Sequence, residues 1–210
     1  MQKNKVIIAL KKLKPEETAA FRDFVASPYY NKRVVLLDLL DHLLTFAPAF
    51  SGEGIGKEQV FQAIFPDEPY NDKQLRYHLS WLNKLLEQFW LVQRQAVQEE
   101  HNLVVLMETL SERELEKHYR QQDRKLQQLL NGVEAPDAAH FRHRQEWADT
   151  RERHFQRQRL RRFNEDLQDA ADALDRYYFL EKMKYACAML DRQAILQGAY
   201  NVNITPEWLE

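Results

Sequence analysis

One stretch constrains this chain more than any other: Lys57 to Phe89, K-E-Q-V-F-Q-A-I-F-P-D-E-P-Y-N-D-K-Q-L-R-Y-H-L-S-W-L-N-K-L-L-E-Q-F. Pro66 and Pro69 interrupt helix and impose a turn. Asn71 follows as an N-cap, with Gln74 as the return partner of a capping box. Leu75, Leu79, Leu82, Leu86 and Phe89 then recur at spacings of four and three, which holds them on one helical face. Tyr77, Trp81 and Leu85 widen that face to an arc of roughly 200°. A surface helix needs about half as much, so this helix is expected to be central, with neighbours on two sides. Its polar edge is narrow: Lys73, Arg76, Ser80, Asn83, Lys84 and Glu87. His78 falls inside the apolar arc and reads as a core histidine with a satisfied hydrogen bond.

Composition narrows the class. The chain has 210 residues, 44% of them hydrophobic, enough for one large domain or two small ones. Five glycines are too few for an all-β fold rich in tight turns. A net charge of −2 gives no overall pull toward nucleic acid or anionic membrane. The lone cysteine, Cys187, in A-C-A-M-L, reads as a buried thiol and suits a reducing compartment. The apolar run Val6 to Leu10 is too short for a signal peptide, and no stretch has the length of a membrane span. A cytoplasmic location is expected.

Along the chain, Pro15 with Glu16 and Glu17 starts a helix that Ser27-Pro28 stops. A leucine-rich helix is predicted from about Lys32 to Ala47, closed by Pro48. Ser51 to Gly56 is a connection, and Lys57 to Phe65 a short helix. Trp90 to Leu110 is ambiguous: Trp90-Leu91-Val92 and Leu103 to Leu106 fit either a hairpin or continued helix, and helix is preferred. Ser111 with Glu114 reads as a capping box opening a polar helix that ends at Asn131-Gly132. Pro136-Asp137 begins a helix to about Arg162, and a long helix, broken at most once, covers Asn164 to Leu196. Thr205-Pro206-Glu207 is a further helix start near the chain end, and implies continuation into a longer protein. The fold expected is therefore all-α: a compact multi-helix domain over residues 1–110, then an antiparallel helical array over 111–210. A tetratricopeptide-like solenoid is one form such an array takes, although no fixed period is evident.

Four stretches, F-R-D-F-V-A-S-P-Y-Y-N-K, V-F-Q-A-I-F-P, P-Y-N-D-K-Q-L-R-Y-H-L-S-W-L-N-K-L-L-E-Q-F and L-D-R-Y-Y-F-L-E-K-M-K-Y-A-C, together resemble a family of uncharacterised bacterial proteins that are mostly helical and longer than this chain. The resemblance implies a helical, tetratricopeptide-like architecture. It brings no activity, cofactor or catalytic residue.

Chemical motifs are scarce. Gly52-Glu53-Gly54-Ile55-Gly56 lacks the preceding strand that a dinucleotide cradle requires and reads as linker. Asp137, His140 and His143 share a helical stripe, but no Glu-x-x-His accompanies them, so a solvated face is expected there rather than a metal site. No cofactor is expected. The run Arg151 to Arg162 holds six arginines and one glutamate, followed by Glu165, Asp166, Asp169, Asp172 and Asp175. Mutual compensation of the two signs is the plain reading. A partner surface built from Arg76, Asn83, Arg153, Arg157, Arg159, Arg161 and Arg162 is the sharper one.

Two functions compete. One is a non-enzymatic helical scaffold that binds a protein or peptide. The alternative is a winged-helix-like DNA-binding module over residues 57–106, with Asp72 to Gln88 as recognition helix and Trp90 to Leu106 as wing. Five acids between Lys57 and Phe89 (Glu58, Asp67, Glu68, Asp72 and Glu87) weigh against nucleic acid.

Overall fold

The structure is a computed structural model, described for residues 3–159, 163–196 and 198–202. Among these residues there are nine α-helices, one 3-10 turn and no strand. The all-α fold is as expected. The chain divides into two compact units, Met1–Val97 and Gln98–Glu210.

Unit 1 holds α1 (Lys5–Leu10), α2 (Pro15–Ala26), α3 (Val35–Leu44), α4 (Lys57–Ile64) and α5 (Asp72–Ala96). α5 is central: it packs against α1, α2, α3 and α4. The predicted stripe supplies its core face, with Leu75, Leu79, Leu82, Leu86 and Phe89 all buried and Leu85 beside them. Phe89 meets Phe21 and Phe24 of α2 at centroid distances of 5.4 and 5.6 Å, within the range of favourable aromatic pairs. The arc is narrower than predicted, because Tyr77 is half exposed and Trp81 only partly covered. The run Val6 to Leu10, assigned no role from sequence, forms most of α1 and buries Val6, Ile7 and Leu10.

Some of the expected caps form and others do not. Asn71 accepts from the Gln74 backbone N–H at 3.1 Å, but the Gln74 side chain turns to Glu68 instead of closing the box. Pro15 opens α2, and Glu17 accepts from the Lys14 N–H at 2.8 Å. α3 is shorter than the predicted 32–47 span. Asn31 explains its late start: its amide bridges the Val25 and Arg33 carbonyls and accepts from the Arg33 N–H, holding 31–33 out of helix. Within the glycine-bearing connection, Glu53–Ile55 form the 3-10 turn, and Ile55 is buried in the core.

The ambiguous segment is helical. α5 continues to Ala96, and α6 (Glu99–Glu112) begins after a break at Val97–Gln98. Residues 98–110, assigned to the first domain from sequence, pack with the second unit, because Leu103, Val104 and Met107 of α6 enter its core.

Unit 2 is an up-and-down array of α6, α7 (Glu116–Asn131), α8 (Ala138–Arg157) and α9 (Asp166–Ile195). α6 packs on α7 and α8, α7 on α8, and α8 on α9. The core comprises Leu103, Val104, Met107, Tyr119, Leu126, Leu130 and Trp147. Helix lengths of 14, 16, 20 and 30 residues do not repeat. Asp137 caps α8, accepting from the His140 N–H at 2.8 Å. The Ser111–Glu114 start does not form. Ser111 lies inside α6 and is 5% exposed, Glu114 adopts φ +57°, and α7 begins at Glu116 without a side-chain cap. α9 is unbroken, yet buries only Asp166, Ala173 and Ala186. Cys187, expected inside, is exposed. The predicted helix start at Thr205 lies outside the described residues.

Candidate functional site

The predicted partner surface is largely spent on internal contacts. Arg76 pairs with Asp72 at 2.9 Å, one turn before it on α5, and Asn83 donates to Glu87 at 2.6 Å. In unit 2, Arg153 reaches Glu108 of α6 at 2.8 Å and Asp149 at 3.2 Å. Arg157 donates to the Ser111 hydroxyl at 2.8 Å and lies 3.5 Å from Glu112. Arg159 is exposed just past α8, at φ +53°. Arg161 and Arg162 lie outside the described residues. Arg151, Arg153 and Arg157 are thus compensated, mostly by acids of α6 and α7 rather than by the acidic run that follows. From the acidic run that follows it, only Asp166 takes part among the described residues, 3.1 Å from Arg151.

The same region contains a serine, a histidine and a carboxylate in contact. Ser111 Oγ is 2.8 Å from His154 Nδ1, and His154 Nε2 is 3.1 Å from Glu116. A nucleophilic serine needs an open face toward substrate and donors for the developing oxyanion. Ser111 is buried in mid-helix, and its oxygen already accepts from Arg157. Tyr119 stacks on His154 at 3.8 Å and closes the ring's other side. This chain of bonds ties α6, α7 and α8 together.

The histidines differ from expectation. His78 is partly buried against Phe65, but its Nδ1 has no hydrogen-bond partner among the described residues, and burial, reinforced by the charge of Arg33, holds its pKa below the ordinary imidazole value. His140, expected on a solvated face, is 8% exposed with Nδ1 also unpartnered; burial, with Arg144 nearby, lowers its pKa too. Among the described residues no group of three or more His, Cys, Asp or Glu side chains is placed to hold a metal ion.

A site that sequence reasoning missed lies in unit 1. The loop before α3 and the middle of α5 enclose a cavity of about 260 Å³. Its floor is Leu36 and Leu85, both buried, and its walls are Tyr30, Trp81 and three cations, Lys32, Arg33 and Lys84. The Arg33 guanidinium lies 3.8 Å from the centroid of the Trp81 ring, and Lys84 Nζ lies 4.6 Å from it. The wall is held in place: Tyr30 stacks on Phe24 at 4.0 Å, and the Asn31 amide fixes the loop backbone. Unit 1 forms ion pairs at Arg22–Asp41, Lys57–Asp72 and Arg76–Asp72, and none of the three cavity cations takes part. Two larger hollows in the same unit are less specific. One is a wide recess in which Lys57 is already held by Asp72; the other is lined mainly by Leu10, Leu13, Leu44 and Phe50.

Two sequence signals pointed at this cavity: Trp81 at the margin of the apolar arc, and a lysine and an arginine directly after Tyr29-Tyr30-Asn31. Their convergence across 48 positions carried no local signature. No helix among the described residues is long and apolar enough to cross a membrane. Compared with family models, curated proteins and solved structures, the chain matches none.

Proposed function

We propose that the chain is a non-enzymatic helical interaction module, and that unit 1 binds an acidic peptide segment of a protein partner at the Trp81 cavity. One observation carries this reading: three cations that pair with no carboxylate among the described residues surround an apolar floor. An aliphatic side chain of the partner fills the space over Leu36 and Leu85, and flanking carboxylates replace the water around Lys32, Arg33 and Lys84. Charge-assisted bonds to arginine and lysine give direction, while burial of the aliphatic anchor gives affinity. Arg33 already covers the Trp81 ring, which disfavours stacking of a nucleotide base on that ring. The continuous helix over Trp90 to Ala96 and over Glu99 onward supports the scaffold over a winged helix, which needs a β-hairpin there. A module of this kind fits a cytoplasmic setting, where the exposed Cys187 stays reduced.

The test is a titration of a labelled acidic peptide with a central leucine pair, followed by fluorescence polarisation. Binding with Kd on the order of 10–100 µM is expected. The Arg33→Glu, Lys84→Glu double variant weakens it at least about tenfold, while Arg76→Ala, about two turns from Lys84 along α5 and outside the cavity lining, leaves it within about twofold. A basic peptide of the same length that binds equally well, or a double variant with unchanged affinity, removes the reading. Tighter binding of a random duplex DNA than of the peptide restores the winged-helix alternative.

A further inference from the structure

The end of α1, the start of α2 and the end of α3 enclose the apolar hollow of unit 1, a cavity of about 460 Å³. Leu10 and Phe50 of its lining are buried, and Leu13 and Leu44 pack against the same core. Phe50 is held at φ +46°, a conformation that a bulky aromatic residue rarely adopts. Strain of this kind persists where the surroundings fix it, and it gathers at ligand sites. The lining has little to offer a polar guest. Pro15 and Pro48 carry no N–H. The N–H groups of Lys11, Leu13, Thr18, Ala47 and Phe50 each donate to a backbone carbonyl, and Leu10 and Leu44 are held in the ladders of α1 and α3. The Thr18 hydroxyl donates to the Lys14 carbonyl at 3.0 Å. Lys11 Nζ is the one donor left: it forms no ion pair among the described residues, and no acid lines the cavity.

That chemistry chooses among occupants. A peptide backbone, a sugar or a nucleobase would bury several polar groups here without partners, each at a cost in free energy. A hydrocarbon chain buries none. Lys11 favours an anionic end on that chain. Lys12 and Lys14 follow it in sequence, also without an ion-pair partner among the described residues, and they repel a cationic end. The volume lies in the range of small-molecule sites. A methylene displaces about as much space as a water, about 30 Å³, so the cavity accepts a chain of about twelve carbons. We propose that this cavity is a binding site for a free fatty-acid anion of medium length. The tail lies against Leu10, Leu13, Leu44 and Phe50, and the carboxylate meets Lys11. The proposal is independent of the peptide site at Trp81.

Isothermal titration of the full 210-residue chain with sodium dodecanoate, kept below its micelle-forming concentration, reads the site directly. Saturable binding of one molecule per chain, with Kd on the order of 1–100 µM, is expected. Dodecyltrimethylammonium, with the same tail and the opposite charge, binds at least about tenfold more weakly. Lys11→Gln, at an exposed position, weakens dodecanoate about threefold to tenfold and narrows the gap between the two amphiphiles. Ala47→Trp, also at an exposed position, fills the cavity and abolishes binding while the helical circular dichroism spectrum is kept. Equal affinity for the two amphiphiles, an unchanged Kd in Lys11→Gln, intact binding in Ala47→Trp, or heat that never saturates overturns the proposal. Binding to vesicles of anionic phospholipid without binding to free dodecanoate overturns it too, and assigns the three lysines to a membrane surface.

Discussion

Leu82 is fully buried at the point where α5 meets the other helices of unit 1. Truncation there removes three carbons from a site enclosed on every side, and neighbouring backbone can collapse only partly into the space. Leu82→Ala is therefore expected to cost about 2–5 kcal/mol, measured by urea unfolding. Lys84, two positions on, lies over the Trp81 ring at the surface, and Lys84→Ala changes stability by about 1 kcal/mol or less in the same experiment. Equal mildness of the two substitutions would mean that α5 does not hold unit 1 together. The contrast also separates folding from binding, since Lys84 belongs to the proposed peptide site and Leu82 does not.

At the scale of elements, the polar chain through Ser111 joins three helices. Removing the hydroxyl strands His154 Nδ1 and one Arg157 N–H in a partly buried place. Ser111→Ala is expected to lower stability by about 1–3 kcal/mol, and thermal melting checks it. A neutral result would show that solvent satisfies both groups. This contact also shows what sequence makes legible and what it hides. Leu75 through Phe89 were legible because a helix's core face is a local periodicity, carried by residues three and four apart. Asn71, Pro15 and Asp137 were legible as helix starts for the same reason. Ser111 was misread because a serine three residues before a glutamate has the form of a cap, while its actual partners lie more than forty positions away. Cys187 was misread because its small neighbours look like a packed helix, yet α9 packs chiefly against α8 and leaves that position exposed. The cation wall of the Trp81 cavity was hidden for a third reason. Arg33 and Trp81 have no sequence relationship, and only the packing of α3 on α5 brings them together.

For the whole molecule, the decisive feature is that Met1–Val97 and Gln98–Glu210 each bury a separate core. Residues 1–97 produced alone are expected to give a cooperative thermal transition and a helical circular dichroism spectrum, with Leu82→Ala lowering its midpoint. A featureless melt of that fragment would show that its twenty buried core residues do not suffice without the second unit. The separation has a consequence during synthesis. A chain emerges from the ribosome at roughly 5–20 residues per second, so the first unit is complete several seconds before the last of α9 appears. Within those seconds α5 can close over α1 to α4, leaving no long-range contact of the first core waiting on later sequence. Helix α9 is the last described element to emerge. The second core needs Trp147 of α8 beside Leu103 and Met107 of α6, so it closes later, when the first has already had time to form.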